Sequence, residues 1–140
     1  QTQILFKHFK HFQQQLIEGG MISPSDRAIY GVADTAAEAA AYILKFYSVY
    51  HSLRYVKNLL VIRLQQPLAA RTMAQLNREF EDLLSSGEIR LGAALPEESD
   101  EPDLKDLPRL IFTFNRKEYG RLIQLIQRVN ELGRQVITAR

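Results

Sequence analysis

The sequence predicts an α+β fold in which helices dominate the first fifty residues and strands alternate with helices afterwards. Apolar residues recur at the three- and four-residue spacing of helices up to about residue 50, and near residue 51 the pattern switches to a dense, strand-like run of Leu, Val and Ile. With 140 residues, 46% of them apolar, the chain can build a core, and its 24% of charged residues argues against global disorder. We therefore divide the chain into residues 1–50 and residues 51–140.

The first part begins with a predicted helix over residues 3–18, where apolar side chains recur at helical spacing. The pair Gly19-Gly20 ends this helix. A short helical turn follows, with Ser23 as its N-cap and Pro24 at its first position, because a fixed proline φ suits that position.

The rest of the first part is predicted to contain a brief β-like stretch over residues 28–34 and a second helix. Thr35 and Glu38 form a capping-box sequence that starts this helix, and its apolar face extends to about Tyr50. One strand between two helices cannot form a sheet. We therefore expect this part to be the closing α-β-α of a larger α/β sheet, whose exposed strand edge another chain or unit must cover.

The second part is predicted to start with one strand over residues 53–64. Pro67 interrupts it, and helical spacing returns over residues 68–85, with Gly87 as the C-terminal stop. We expect further strands at residues 88–96 and 108–114.

A last helix follows the third strand, because Asn115 and Glu118 form another capping-box sequence. Its apolar stripe extends to Val129 and is compatible with a helix that continues through Val136.

The order β-α-β-β-α in the second part is a split β-α-β pattern. A right-handed crossover joins the first strand to the second, and the third fits between them, antiparallel to both. Two helices then cover one face of three antiparallel strands. The pattern is ferredoxin-like or ACT-like, without the usual last strand.

The residues between the two parts, "YHSLRYV" at 50–56, contain the polar side chains with the strongest claim to a ligand. His51, Arg54 and Tyr55 are candidate ligand-binding residues, since a guanidinium suits phosphate. The interpretation that we favour is a hinge between the two parts, in which Arg54 pairs with a carboxylate or carbonyl and Tyr50 and Tyr55 are partly buried. A self-contained enzyme that uses His51 and Arg54 is a weaker hypothesis, because no base, nucleophile or phosphate loop accompanies them.

Two further motifs favour structural interpretations. His8 and His11 are one turn apart on a helix and could contact a metal, but no carboxylate joins them at helical spacing. The acidic stretch over residues 97–106 lacks the spacing of a calcium loop and is predicted to be a solvated loop. The sequence therefore predicts no metal site, no cofactor and no catalytic residue.

Composition and net charge restrict the kinds of partner and the compartment that we expect for this chain. The net charge is +2, with 18 basic residues scattered among 16 acidic ones, so nucleic acid is not an expected partner. There is no cysteine, which fits a reducing cytoplasm. No apolar run approaches the ~18 residues of a membrane span. We expect a cytoplasmic protein that forms a homo-oligomer.

Several segments resemble the Lonely Guy (LOG) family, whose members are often labelled lysine decarboxylases. The similar segments are "EGGMISPSDRAIYGVADTAAEAAAYILKFYSVYHSLRYV", "ALPEESDEP", "LPRLIFTFNR" and "YGRLIQLIQRVN". The resemblance is to longer members in which a Rossmann-like domain leads into an extra C-terminal domain. It implies a parent protein that binds a nucleotide and cleaves the N-glycosidic bond of nucleoside 5′-monophosphates.

The family's catalytic motifs, "GGGxxGLM" and "PGGxGTxxE", do not occur in this sequence. We therefore expect the chain to begin inside a longer protein and to be its non-catalytic C-terminal portion: residues 1–50 the remnant of the Rossmann-like domain, residues 51–140 the small domain. The alternative is a regulatory or dimerisation module that binds a small effector or a partner chain. In that case a strand within residues 56–64 at a sheet edge would pair with a second copy.

Overall fold

The computed structural model describes residues 2–135, which form an α+β fold with one four-stranded antiparallel sheet. The predicted fold class is thus confirmed. The helices are α1 (Thr2–Glu18), α2 (Ala36–Phe46), α3 (Ala70–Glu79) and α4 (Tyr119–Gln135), and the strands are β1 (Tyr50–Val56), β2 (Leu59–Leu64), β3 (Leu84–Gly92) and β4 (Arg109–Phe114).

The predicted single strand over residues 53–64 is wrong, because these residues belong to the hairpin β1–β2. Lys57 and Asn58 connect the two strands, and Lys57 has a left-handed φ of 55°. No glycine or proline marks this turn, so the apolar run reads as continuous. The predicted extension of α2 to about Tyr50 is also wrong, because α2 ends at Phe46 and Tyr50 starts β1.

The sheet has the strand order β1-β2-β4-β3. β4 lies between β2 and β3 and is antiparallel to both, which confirms the split β-α-β prediction. The number of strands was predicted wrongly, because β1 adds a fourth beside β2. In this position β1 takes the place of the last strand of a ferredoxin-like sheet.

The predicted β-like stretch over residues 28–34 is not a strand. A 3₁₀ helix spans Pro24–Ile29, and Tyr30 is extended with φ −130° and ψ 157°. Within residues 2–135 no other strand lies beside it, so its extended backbone has no ladder to join. The predicted turn is present, since the Asp26 carboxylate accepts a 2.8 Å hydrogen bond from the Ser23 amide.

The predicted cap of α2 is present, whereas α4 begins at Tyr119, four residues after Asn115, so the predicted cap of α4 is wrong. Thr35 Oγ1 accepts the Glu38 amide at 3.1 Å, and α2 begins one residue after Thr35. Asn115 Oδ1 accepts the amides of Lys117 at 3.0 Å and Glu118 at 3.2 Å ahead of α4. The predicted extension of α4 through Val136 lies outside the described residues.

The helix predicted over residues 68–85 is shorter than expected. α3 ends at Glu79, a 3₁₀ turn spans Glu81–Leu83, and the following residue already belongs to β3. Gly87 is not a helix stop but lies within β3, with φ 70° beside a register shift. The leucines at this junction satisfy helical and strand periodicity equally well, which explains the error.

The hydrophobic core lies between α3, α4 and one face of the sheet. Its completely buried side chains, with a relative exposure of 0%, include those of Leu60, Leu76, Leu110 and Leu125. α4 also contacts the first part of the chain. A Cβ on Gly120 would lie 2.3 Å from the Ser25 carbonyl carbon, so only glycine permits this approach.

Candidate functional site

The three predicted ligand-binding residues lie on β1 but do not converge on one site. Cross-strand pairs place Arg54 beside Val61 and Tyr55 beside Leu60, on opposite faces of the sheet. His51 Nδ1 lies 2.9 Å from Ser52 Oγ, where the register between β1 and β2 shifts. Alternation along a strand therefore separates Arg54 from Tyr55.

Arg54 binds carboxylates, as the hinge interpretation requires. Its Nη1 lies 2.6 Å from Asp100 Oδ1 and 2.8 Å from Glu101 Oε2, and its Nη2 lies 3.3 Å from the Glu97 carbonyl oxygen. The hydrogen bonds that the guanidinium donates to Asp100, and next to Glu101, raise its pKa. Arg54 is thus occupied by the protein's own acids.

The tyrosines of β1 have different environments. Tyr50 is buried, as predicted, and its ring centroid lies 5.3 Å from that of Phe46. Tyr55 is 40% exposed, more than predicted. The Arg116 guanidinium lies 4.7 Å above the Tyr55 ring, and burial together with a hydrogen bond to Tyr119 raises the pKa of Tyr55. Residues 50–56 form a packed strand and not a solvated linker.

Most residues of the acidic segment are exposed, as the charge pattern predicts, but the segment is folded and Glu98 is buried. Residues 93–107, named here the acidic strap, cross the sheet face opposite the helices, and two 3₁₀ turns shape them at Pro96–Glu98 and Pro102–Leu104. Glu98 is only 3% exposed. Leu95 from the strap also packs near Val61 and Ile111 of the sheet. The strap is therefore part of the folded structure.

Two buried arginines explain why the strap must be acidic. Arg63 of β2 and Arg109 of β4 are cross-strand partners, and both side chains point at the strap. Glu98 lies between them: Oε1 is 2.7 Å from Arg63 Nη2, and Oε2 is 3.3 Å from Arg109 Nε. Neighbouring like charges on one sheet face destabilise it unless a counter-charge separates them.

The remaining donors of these arginines are also satisfied. Arg109 donates to the carbonyl oxygens of Leu104 at 2.8 Å, Lys105 at 3.3 Å and Leu107. Glu101 accepts from Arg63 and from Arg54, which joins the exposed pairs to the buried ones. The cluster is therefore one connected network.

The network lowers the pKa of its carboxylates. Burial favours protonated Glu98, but the Leu95 amide and both arginines outweigh it, so the pKa of Glu98 lies below its ordinary value. Hydrogen bonds from Arg63, and next from Arg54, lower the pKa of Glu101 to about 2. The ionised forms are thus the ones that the fold stabilises.

These lowered pKa values predict acid-sensitive stability. A carboxyl group whose pKa is lower in the folded protein stabilises it above the unfolded pKa, about 4.3 for Glu, and that contribution is lost as the pH falls towards the folded pKa. We therefore expect the urea concentration at the midpoint of unfolding to decrease as the pH is lowered from 5 to 2.5. Glu101→Gln should flatten this dependence. An unchanged profile in the variant would contradict the assignment.

A second polar cluster fixes the junction between the two parts. Asn130 of α4 is buried, and its Oδ1 accepts the amides of Val49 at 2.8 Å and Tyr50 at 2.9 Å. Its Nδ2 donates to the carbonyl oxygen of Phe46. One amide side chain thus satisfies three backbone groups between α2 and β1. No sequence motif marks this residue.

The two histidines of α1 line different grooves. His8 lies beside an apolar groove that contains Leu5 and Phe9, whereas His11 lines a different groove with Tyr30. Within residues 2–135 there is no group of three or more His, Asp or Glu side chains placed to hold a metal ion.

The first part of the chain exposes an unusual amount of apolar surface. On α1 the side chain of Leu5 is 73% exposed, and on α2 that of Leu44 is 74% exposed. Large apolar patches on a soluble domain mark surfaces that contact something else. The other exposed apolar side chains of this part are Ile4, Phe9, Phe12, Met21, Ile29, Val32, Tyr42, Ile43 and Tyr47.

A cleft of about 260 Å³ lies between α2 and α4. Its walls combine the rings of Tyr42 and Phe46 with the charged groups of Lys45 and Glu131. Opposite charges around an aromatic floor suit a small amphipathic ligand.

No protein-family model matches the chain, and searches of curated proteins and of solved structures find no similar protein. Among the described residues, no helix has the length and apolarity needed to cross a membrane.

Proposed function

We propose that this chain is the non-catalytic C-terminal portion of a LOG-like nucleoside 5′-monophosphate phosphoribohydrolase. The observation that carries this proposal is the contrast in packing between the two parts. Residues 49–132 contribute a continuous core, whereas α1 and α2 leave most of their large apolar side chains exposed. Such a surface is expected where a nucleotide-binding domain continues.

The charged residues of the second part also favour a structural role. Arg54, Arg63 and Arg109 are the residues best suited to bind a phosphate, and each is occupied by the acidic strap. A ligand that used Arg63 or Arg109 would have to displace a buried ion pair, which is costly. One that used Arg54 would have to displace its exposed pairs with Asp100 and Glu101. The sheet domain therefore acts as a rigid appendage, and the nucleotide chemistry belongs to the parent protein.

The test is an assay for free base after incubation with AMP and with a cytokinin ribotide. We expect no base release by the pure chain at any concentration. Release that copurifies with the chain and disappears in His51→Ala would overturn the proposal, whereas the same release in both proteins would indicate a contaminant. An environment-sensitive dye should report the apolar surface of α1 in parallel.

A regulatory role is the second candidate, and the cleft between α2 and α4 favours it. Lys45 can bind the carboxylate of a zwitterion, and Phe46 can contact its apolar part. Glu131 can bind the amine if it exchanges its exposed 3.0 Å pair with Arg128 for the ligand. A calorimetric titration with amino acids and nucleotides tests this role. Binding heat that the wild type gives and Lys45→Ala does not would support this role. If no amino acid or nucleotide gives heat with the wild type, these two classes of ligand are excluded.

A further inference from the structure

The two edges of the sheet differ in how well they are protected. β3 has two register shifts against β4, and Gly87 adopts a positive φ within it. Bulges and kinks of this kind prevent another strand from pairing. The edge formed by β3 is therefore blunted.

The opposite edge, formed by β1, has one register shift, between Tyr50 and Ser52, and is regular after it. Its register with β2 is regular from Ser52↔Arg63 to Val56↔Leu59. Within residues 2–135, the backbone hydrogen bonds of residues 51–56 are those of the β1–β2 ladder. The outer row of amides and carbonyls thus has no partner. The predicted edge within residues 56–64 is wrong, since β2 is an interior strand.

Exposed apolar side chains accompany this open edge. Leu53 is 37% exposed and Tyr55 is 40% exposed, and they point to the same face of the sheet as Tyr119 of α4, which is also exposed. On the other face Arg54 is already neutralised by Asp100 and Glu101. An incoming strand would therefore meet apolar contacts on one face and no net charge on the other.

We propose that β1 pairs with β1 of a second copy, antiparallel and about a two-fold axis at Leu53, to form a continuous eight-stranded sheet. In an antiparallel pair, side chains that lie opposite each other point to the same face of the sheet. The two-fold axis must therefore pass midway between one residue and the same residue of the second copy. An axis at Leu53 pairs Leu53 with itself and Ser52 with Arg54, all within the regular part of β1 that begins at Ser52. An axis at Arg54 would place two arginines opposite each other.

This register brings chemically compatible side chains together. Leu53 lies opposite Leu53 of the second copy, and Arg54 lies opposite the short, neutral Ser52. A two-fold axis makes the contact isologous, so the dimer closes and leaves no open β1 edge. This inference does not depend on the proposed function.

The test uses variants matched across the sheet. Leu53→Lys places two ammonium groups opposite each other in the dimer. Leu91→Lys makes the same change on β3, where Leu91 is 40% exposed, close to the 37% of Leu53. The mass is followed by sedimentation velocity from about 1 to 200 µM, because dimerisation depends on concentration. We expect the wild type and Leu91→Lys to reach twice the 16.1 kDa monomer mass.

Leu53→Lys should stay monomeric over that range, with a dissociation constant raised by roughly tenfold or more. A wild type that is monomeric throughout would overturn the inference. A dimer that Leu53→Lys leaves intact would also overturn it and would point to the apolar face of α1 instead.

Cross-linking guards against misfolding of the lysine variant. The chain has no cysteine, so Leu53→Cys and Leu91→Cys each introduce a single thiol. A short bis-maleimide should join two copies of Leu53→Cys and not of Leu91→Cys. Equal yields, or no product from Leu53→Cys, would contradict the proposed pairing. The base-release assay is a separate measurement, so either proposal can fail alone.

Discussion

Glu98→Gln is expected to destabilise the protein by about 3–5 kcal/mol, the usual cost of removing one partner from a buried ion pair. The glutamine keeps the size of the side chain but removes the charge between Arg63 and Arg109, which are both buried. Two facing guanidinium groups then lack their common counter-ion. Urea unfolding monitored by circular dichroism at pH 7 gives the free energy of unfolding.

Glu97→Gln is the matched control, because Glu97 is the neighbouring residue of the strap and pairs with exposed Lys57. Exposed ion pairs contribute little, so this variant should unfold close to the wild type. If Glu98→Gln and Glu97→Gln lower the free energy of unfolding equally, the total charge of the strap matters and the buried position of Glu98 does not.

Asn130→Ala is expected to cost about 3 kcal/mol, because a buried backbone group that loses its partner costs ~1–3 kcal/mol. The substitution removes the acceptor for the amides of Val49 and Tyr50 and the donor to Phe46. Hydrogen exchange should show the effect locally, with faster exchange at residues 46–50 than elsewhere in the domain.

Gln127→Ala is the control for this substitution, since Gln127 lies one turn earlier on α4 and is only half-buried. We expect a change within ~0.5 kcal/mol, as for most surface positions. If Gln127→Ala accelerates exchange at residues 46–50 as strongly as Asn130→Ala, the effect comes from α4 as a whole and the role of Asn130 is wrong.

Local sequence signals predicted those elements whose ends are marked by caps. Thr35 accepts a helix amide where its capping sequence places it, and β4 is an apolar run with clear ends. Asn115 accepts two amides in the turn ahead of α4, so its sequence marks the approach to this helix and not its first residue. The hairpin was missed because Lys57-Asn58 has no glycine, although Lys57 adopts a positive φ. Turn chemistry of this kind is invisible to periodicity.

The charged cluster could not be predicted because its partners are far apart along the chain. Arg63 and Glu98 are 35 residues apart, and charge pattern alone assigns an acidic run to solvent. One signal was available: Arg63 and Arg109 each lie in an apolar strand sequence, where an arginine needs a buried partner. Asn130 offered no comparable signal, since an asparagine on an amphipathic helix is unremarkable.

The position of β4 has a consequence for synthesis of the protein. Of the four strands of the sheet, β4 is the last to be made, yet it lies between β2 and β3. Until residue 114 has emerged, the hairpin β1–β2 is alone, and isolated hairpins are only marginally stable. Arg63 and Glu98 are both made before Arg109 completes their cluster. We therefore expect the domain to fold only after β4 has been made. A nascent chain that ends within the strap lacks β4, so its β2 and β3 cannot be joined in one sheet.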